Sequence, residues 1–307
     1  MMTLFVAPSA ARGLLLFVAA IVGCARTRDR ADTMQLAGDS VPVLVGAGDV
    51  ADCRTDGAYF TAKLLDSIRG TVFVAGDAGY ATKKNPNPFL TCYAMTWGRH
   101  RARTRPAPGN HDYSDGGPDR YFDYFGDRAG PRGAGYYSYD LGTWHVLALN
   151  TTIEIDSGSA QDAWMRKDLE ANLGRCTVAY MHHPRFSSGP HLEQGRVIRL
   201  WKTLASYGVS VAIAGHDHIY ERFAPLDADG KPDSVNGVRQ FVAGTGGADR
   251  YTFRDLLPGS EVHSGDAYGV LKLSLLSGRY QWEFIPVEQD GFRDRGESPC
   301  HVTHAAG

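Results

Sequence analysis

Short apolar segments alternate with amphipathic ones from Val41 onward, and this alternation is the feature that most restricts the fold. The segment VPVLVGAG (Val41 to Gly48) is predicted to be a buried strand, AYFTAKLLDSI (Ala58 to Ile68) a helix, and TVFVAG (Thr71 to Gly76) a second strand. A strand, a helix and a strand in this order predict two parallel strands joined by a right-handed crossover. The sequence therefore predicts an α/β fold.

The rest of the chain continues the pattern. Residues 80–108 are predicted to hold loop and short helix, because prolines interrupt them. Two aromatic strands, Tyr136 to Leu141 and Trp144 to Asn150, are predicted to form a hairpin. Further elements are predicted in this order: a helix capped by Ser159, a strand at Thr177 to Met181, a helix at Val197 to Tyr207 and a strand at Val209 to Ala214. We find no repeat and no linker after residue 40, so residues 41–307 are predicted to form one domain.

The first 40 residues have a different character. Residues 1–23 contain the apolar run GLLLFVAAIV, which is typical of a signal peptide and too short to span a bilayer. The run ends at Gly23-Cys24 and resembles a bacterial lipobox, which implies a lipid on Cys24; the alternative is a plain secretory signal with an incidental cysteine. Residues 24–40 are polar and are predicted to be a flexible tether.

Four cysteines follow Cys24: Cys53, Cys92, Cys176 and Cys300. Their wide spacing matches no zinc-binding pattern, and an exported chain permits disulfides. Three pairings are possible. We favour Cys53 with Cys92 and Cys176 with Cys300, because the second bond would tie the C-terminal tail to the core.

Polar residues occur where the predicted strands end. Asp49, Asp77, His182 and His216 each follow an apolar strand within two residues. Open α/β sheets form their ligand crevice at the carboxyl ends of the strands, so these side chains are expected to meet there. Packing alone gives no reason for four strands to deliver carboxylates and imidazoles to one edge.

The candidate residues fall into five ordered blocks. These blocks read GAGDVAD, AGDAGY, PGNHD, YMHHPRFSSGPH and AGHDHIYER. Their carboxylate, amide and imidazole groups suit zinc, iron or manganese, and their number suffices for two metal ions that share a bridging carboxylate.

The ordered blocks resemble the calcineurin-like metallophosphoesterase superfamily, and in particular its purple acid phosphatase branch. The resemblance extends from Asp49 to about Arg222. It implies a sandwich of two mixed β-sheets flanked by helices, with the active site at the carboxyl ends of the strands. It also implies two metal ions, Fe(III) with a divalent iron, zinc or manganese ion.

The same resemblance implies a ligand for each metal position. Asp49, Tyr80 and His218 would bind the first metal. Asn110, His182 and His216 would bind the second, and Asp77 would bridge the two.

Two of these assignments have alternatives. Tyr80 occupies the spacing of the phenolate ligand of purple acid phosphatases, and the alternative is an aromatic residue that lines the pocket and forms a hydrogen bond. His182 is favoured over His183 because neighbouring side chains of an extended chain face opposite ways, which leaves His183 in a supporting or structural role.

Three residues are candidates for contact with the substrate or support of that contact. His111 would protonate the leaving oxygen or bind a phosphate oxygen, with Asp112 orienting it. His191 resembles the second substrate histidine of mammalian-type purple acid phosphatases, and a surface loop histidine is the alternative.

These observations predict a phosphatase that hydrolyses phosphomonoesters outside the cytoplasm by attack of a metal-bound hydroxide. The alternatives are a phosphodiesterase or nucleotidase that uses the same site, and a non-catalytic cell-surface binding protein. The chain has 32 basic and 34 acidic side chains, so no positive excess indicates a nucleic-acid partner. The expected partners are a small phosphate ester and, through Cys24, the membrane of a bacterial cell envelope.

Overall fold

The computed structural model describes residues 41–114, 117–191 and 195–302. The predicted signal peptide, Cys24 and the predicted tether lie outside the described residues. Within the described part of the chain, no helix has the length and apolar character needed to cross a membrane.

Two mixed β-sheets form the centre of the fold. The strands of the first sheet are β1 (Val43–Ala47), β2 (Thr71–Ala75), β3 (Thr104–Ala107), β11 (Gly269–Leu276), β12 (Arg279–Pro286) and β13 (Asp294–Pro299). Their order across the sheet is β13-β12-β11-β1-β2-β3. The strands of the second sheet are β4 (Tyr137–Leu141), β5 (Trp144–Ala148), β6 (Thr177–Tyr180), β7 (Val211–Ala214), β8 (Tyr220–Leu226), β9 (Val238–Ala243) and β10 (Ser260–Ser264). Their order across the sheet is β10-β8-β9-β7-β6-β5-β4.

Helices cover the outer face of each sheet. Helices α1 (Gly57–Ser67) and α2 (Asp119–Phe125) pack against the first sheet, whereas α3 (Ala160–Ala171) and α4 (Ile198–Ser206) pack against the second. The inner faces of the two sheets share an apolar core that includes Phe73, Tyr180 and Phe241. The predicted sandwich of two mixed sheets flanked by helices is confirmed.

Most predicted elements are present. Strands β1 and β2 are parallel, and β4 and β5 form the predicted hairpin. Ser159 caps α3 by accepting a hydrogen bond from the backbone N–H of Asp162 at 3.2 Å. Both favoured disulfides, Cys53–Cys92 and Cys176–Cys300, are present, and the second joins the start of β6 to the segment after β13.

The prediction of only loop and short helix for residues 80–108 is wrong in one part. Residues 104–107, with the sequence TRPA, form strand β3 and pair in parallel with β2. This segment has no run of apolar residues, and Pro106 lacks a backbone donor. The strand is possible because β3 lies at the edge of its sheet, where one side of the strand needs no partner.

Candidate metal centre

Backbone strain is concentrated at three of the predicted metal ligands. Among the described residues, Asp49, Asp77 and His216 are the ones other than glycine with positive φ, at 60°, 51° and 73°. Such conformations cost about 1–3 kcal/mol each and occur mainly at functional sites. Each of the three directly follows a glycine, and that glycine is the first residue after an apolar strand.

The two sheets approach each other closely beside these ligands. A Cβ atom on Gly215 would lie 2.5 Å from Oδ2 of Asp49, so only glycine fits there. The backbone N–H of His216 donates a 2.8 Å hydrogen bond to the same oxygen. The end of β1 in one sheet and the end of β7 in the other are thereby fixed to each other.

Three predicted ligands of the first metal form one cluster. The hydroxyl oxygen of Tyr80 lies 3.0 Å from Oδ1 of Asp49 and 3.1 Å from Nε2 of His218. The distance between that nitrogen and Oδ1 of Asp49 is 3.4 Å. All three side chains are buried.

A second cluster surrounds the imidazole of His182. Its Nε2 lies 2.9 Å from Oδ1 of Asn110, 3.2 Å from Nδ1 of His216 and 3.3 Å from Oδ2 of Asp77. Ligand atoms of Asp49, Asp77 and His182 lie within 4.8 Å of one another, so Asp77 stands between the two clusters. The structure brings all seven predicted ligands together; that they bind metal stays a prediction.

The side chains present fit metal ions. Ligand atoms that share one ion at about 2.0–2.2 Å lie about 3 Å apart, as the atoms of each cluster do. The Nε2 atom of His216 is buried and has no hydrogen-bond partner among the described residues. Burial and the neighbouring His182 lower the pKa of His216 to about 3, which keeps the ring neutral as ligation requires.

The buried negative charge of the site also favours the binding of cations. Burial and the carboxylates of Asp49 and Asp77 raise the pKa of Tyr80 well above its usual value. Burial works to lower the pKa of His182, but the carboxylate of Asp77 outweighs it and raises this pKa to about 9. Without cations, protons therefore balance the buried negative charge, and metal binding must displace them.

His111 lies at the exposed edge of the site. Its backbone N–H donates to Oδ1 of Asp77 at 2.8 Å, and its ring lies 4.5 Å from that of Tyr80. A Cβ atom on Gly109 would lie 2.2 Å from the same oxygen, so the segment that carries Asn110 and His111 approaches Asp77 closely.

Asp112 has partners that the sequence did not indicate. Its buried carboxylate accepts hydrogen bonds from the backbone N–H groups of Gly109 at 2.8 Å and of Ala78 and Gly79 at 3.3 Å. Within the described residues it has no hydrogen bond to His111, because consecutive side chains of the helical turn His111–Tyr113 point in different directions. Asp112 holds the backbone beneath both clusters.

The expectation that the side chains of His182 and His183 point to opposite sides of the chain is wrong, because ligand atoms of both lie within 4.8 Å of a ligand atom of His216. The rings of His182 and His183 lie 5.0 Å apart, and that of His183 lies 4.5 Å from that of His216. Strand β6 ends at Tyr180, so the alternation of an extended chain no longer applies two residues later. Thr151 fixes the second ring, with Oγ1 2.8 Å from its Nδ1.

His191 lies beside the second cluster, where its ring is 4.3 Å from that of His216. Its Nδ1 is 2.8 Å from Oδ1 of Asp217, a buried residue that the sequence reasoning missed. No local pattern in the sequence marks this residue, because β7 ends at Ala214 and the alternation of a strand does not extend to residue 217. Glu221 supports the same segment by accepting hydrogen bonds from the backbone N–H and hydroxyl of Ser188.

Residues 39–220 match the family described as calcineurin-like phosphoesterase. The chain is 30% identical over 205 residues to purple acid phosphatase 21 of Arabidopsis thaliana, which covers 59% of this chain and 44% of that protein. It is 28% identical over 196 residues to purple acid phosphatase 23 of the same plant, covering 52% of this chain and 43% of that protein. The chain thus spans less than half the length of these relatives.

A solved structure has the same fold. A purple acid phosphatase from yellow lupin (Lupinus luteus) seeds superposes with a TM-score of 0.65, covering 87% of this chain and 57% of the lupin chain, at 21% identity.

Proposed function

The chain belongs to the calcineurin-like phosphoesterase family, and from that premise we propose that it hydrolyses phosphomonoesters at a dinuclear metal centre. The family depends on two metal ions, and the observation that carries the proposal is the pair of ligand clusters on either side of Asp77. The similarity to named phosphatases of Arabidopsis thaliana supports the choice of monoesters.

Two cations bound at these clusters would neutralise phosphate oxygens and lower the pKa of a water molecule toward 7. The side chains around them have separate tasks. Asp77 and Asp49 hold the clusters together, and His111 at the exposed edge donates a proton to the leaving oxygen. His191, whose ring lies 4.3 Å from that of His216, binds a phosphate oxygen.

Fe(III) is the proposed ion of the first cluster. A phenol whose pKa is raised by burial loses its proton only to a strongly charged cation, and the Tyr80 oxygen lies among the ligand atoms of that cluster. A divalent iron, zinc or manganese ion is proposed for the second cluster, which offers two imidazoles and an amide oxygen.

The proposed location is the bacterial cell envelope, with a lipid on Cys24. The apolar run before Gly23-Cys24 supports this location, and so do the two disulfides, which persist in oxidising compartments.

The test compares nitrophenyl phosphate with methyl nitrophenyl phosphate, which share one leaving group. The metal-loaded protein is expected to prefer the monoester, and protein treated with a chelator serves as the control. Preference for the diester would make the chain a phosphodiesterase. Absence of turnover of both esters by protein with two bound metals would contradict hydrolysis and favour a binding protein.

A further inference from the structure

Asp217 is the residue that lies between the two predicted ligands His216 and His218, yet its side chain faces away from both clusters. The side chain is fully buried. Strand β7 ends at Ala214, and the chain turns so that the backbone N–H of Asp217 donates to the carbonyl of Gly215 at 2.9 Å. The carboxylate therefore contacts the segment Ser187 to His191 and does not point into the metal centre.

That segment surrounds the carboxylate of Asp217. Oδ1 accepts a hydrogen bond from the backbone N–H of His191 at 3.2 Å, and Oδ2 accepts one from the hydroxyl of Ser187. A Cβ atom on Gly189 would lie 2.4 Å from Cγ of Asp217, so only glycine allows this close approach. Among the described residues, every hydrogen bond to this carboxylate comes from the segment that carries His191.

The contact with the imidazole fixes the orientation of that ring. Nδ1 of His191 lies 2.8 Å from Oδ1 of Asp217. Both oxygens of Asp217 already accept hydrogen bonds, from the backbone N–H of His191 and the hydroxyl of Ser187, so Nδ1 is the donor in this contact. Nε2 then lies on the ring edge that points away from Asp217. The ring stands 4.3 Å from that of His216 and retains 39% of its side-chain exposure, so this edge borders the second cluster and solvent.

We propose that Asp217 is a positioning residue that holds His191 with Nε2 toward the phosphate of the substrate. The inference rests on the proposed function, because it assumes that a phosphate group occupies the second cluster. Asp217 acts through His191 and touches neither the substrate nor the metals. The carboxylate of Asp112, by contrast, has only backbone partners within the described residues and positions no imidazole.

The test is a double-mutant cycle on the metal-loaded protein with Asp217→Ala, His191→Ala and the double variant. Two quantities are measured in each: the dissociation constant of inorganic phosphate by calorimetry, and kcat and KM for nitrophenyl phosphate. Metal content is determined in every variant. Each single variant is expected to weaken phosphate binding by roughly tenfold or more and to lower kcat/KM by about 10²-fold, and the double variant should match His191→Ala alone.

Two matched variants separate positioning from support of the segment. Asp217→Asn keeps an acceptor oxygen for Nδ1 and should remain within about threefold of the wild type. Ser188→Ala removes a hydrogen bond of the same segment to Glu221 and leaves the contact of Asp217 with His191 intact, so its effect should be smaller than that of Asp217→Ala.

Several results would overturn the proposal. A further loss on adding Asp217→Ala to His191→Ala would show that Asp217 acts through His216 or His218. If Ser188→Ala loses as much phosphate affinity and kcat/KM as Asp217→Ala, Asp217 only supports the segment Ser187 to His191 and does not position the His191 ring. Unchanged phosphate binding in His191→Ala would show that His191 does not contact the phosphate, so Asp217 could not act by positioning it. If the protein binds phosphate with the expected coupling between Asp217 and His191 but hydrolyses no ester, the proposed function is contradicted and the positioning role of Asp217 is retained. If the metal-loaded wild type does not bind phosphate, the proposed function and the positioning role are both contradicted.

Discussion

The hydroxyl oxygen of Tyr80 lies 3.0 Å from Oδ1 of Asp49, in a pocket where the two side chains are 7% and 0% exposed. A phenol beside a buried carboxylate keeps its proton unless a cation is added, because burial and the negative charge both raise its pKa. The charge of the ion bound at the first cluster therefore decides whether Tyr80 is ionised.

Tyr80→Phe is expected to lose the first metal. Removing the phenol oxygen removes a ligand of that ion. The affinity of the site for the ion should fall by more than the roughly 10- to 100-fold that is typical when a ligand loses its supporting hydrogen bond. The check is a visible absorption spectrum with elemental analysis: stoichiometric iron and a phenolate charge-transfer band in the wild type, both lost in the variant. Tyr251→Phe is the control: it removes the hydroxyl of a ring that stacks on His218 and should keep the charge-transfer band. A colourless wild type with two zinc or manganese ions would exclude Fe(III).

Asp77→Asn is expected to release metal from both clusters. Its carboxylate stands between them, and an amide supplies less negative charge and one acceptor oxygen in place of two. Metal content should fall from two ions per chain toward none, and turnover by more than about 10²-fold. Asp140→Asn, a change at an exposed carboxylate on β4, is the control and should retain both ions. Two ions retained in Asp77→Asn would contradict the bridging position.

His111→Ala is expected to keep both metals and lose turnover selectively. Its imidazole is predicted to protonate the leaving oxygen, so alkyl phosphates, whose leaving groups need the proton, should slow by roughly 10²- to 10⁴-fold. Nitrophenyl phosphate, whose leaving group is stable as an anion, should slow far less. Steady-state rates on both esters provide the comparison, and equal losses on the two would remove His111 as the proton donor.

The metal-free protein is expected to lose stability as pH rises. Asp77 raises the pKa of His182 from 6.5 to about 9 against the effect of burial, so stability from this proton is complete below pH 6.5 and lost as pH rises through 9. Burial and the charge of Asp77 raise the pKa of Asp112 from 3.8 to about 8, and the folded chain again holds a proton that the unfolded chain releases. Above about pH 6.5 the unfolded histidines no longer hold their protons, so the free energy of unfolding should fall between about pH 7 and 9. Below that range the low pKa of His216 acts in the opposite direction.

Bound metals should reverse this dependence. Cations displace the protons, so metal binding and the stability it adds increase with pH. Urea denaturation of chelated and metal-loaded protein at several pH values measures both slopes. Parallel slopes for the two forms would show that these groups do not share the site with the metals.

Much of the fold follows from local patterns in the sequence. Alternation of apolar strands and amphipathic helices predicted β1, α1 and β2, and the cap at Ser159 predicted the start of α3. Strand β3 was missed because nothing within residues 104–107 favours a strand; pairing with β2 at the sheet edge decides its conformation.

The sequence by itself determined which residues are the candidate ligands, because a Gly-Asp or Gly-His pair after a buried strand places Asp49, Asp77 and His216 at the same edge of the sheets. It did not determine which carboxylate orients which imidazole. Asp112 is next to His111 in sequence and yet binds backbone, whereas Asp217 lies 26 residues beyond His191 and contacts its ring. Chain neighbours on a helical turn point in different directions, and the contact of Asp217 forms only when the segment after β6 packs over the end of β7. Tertiary structure alone brings those two segments together.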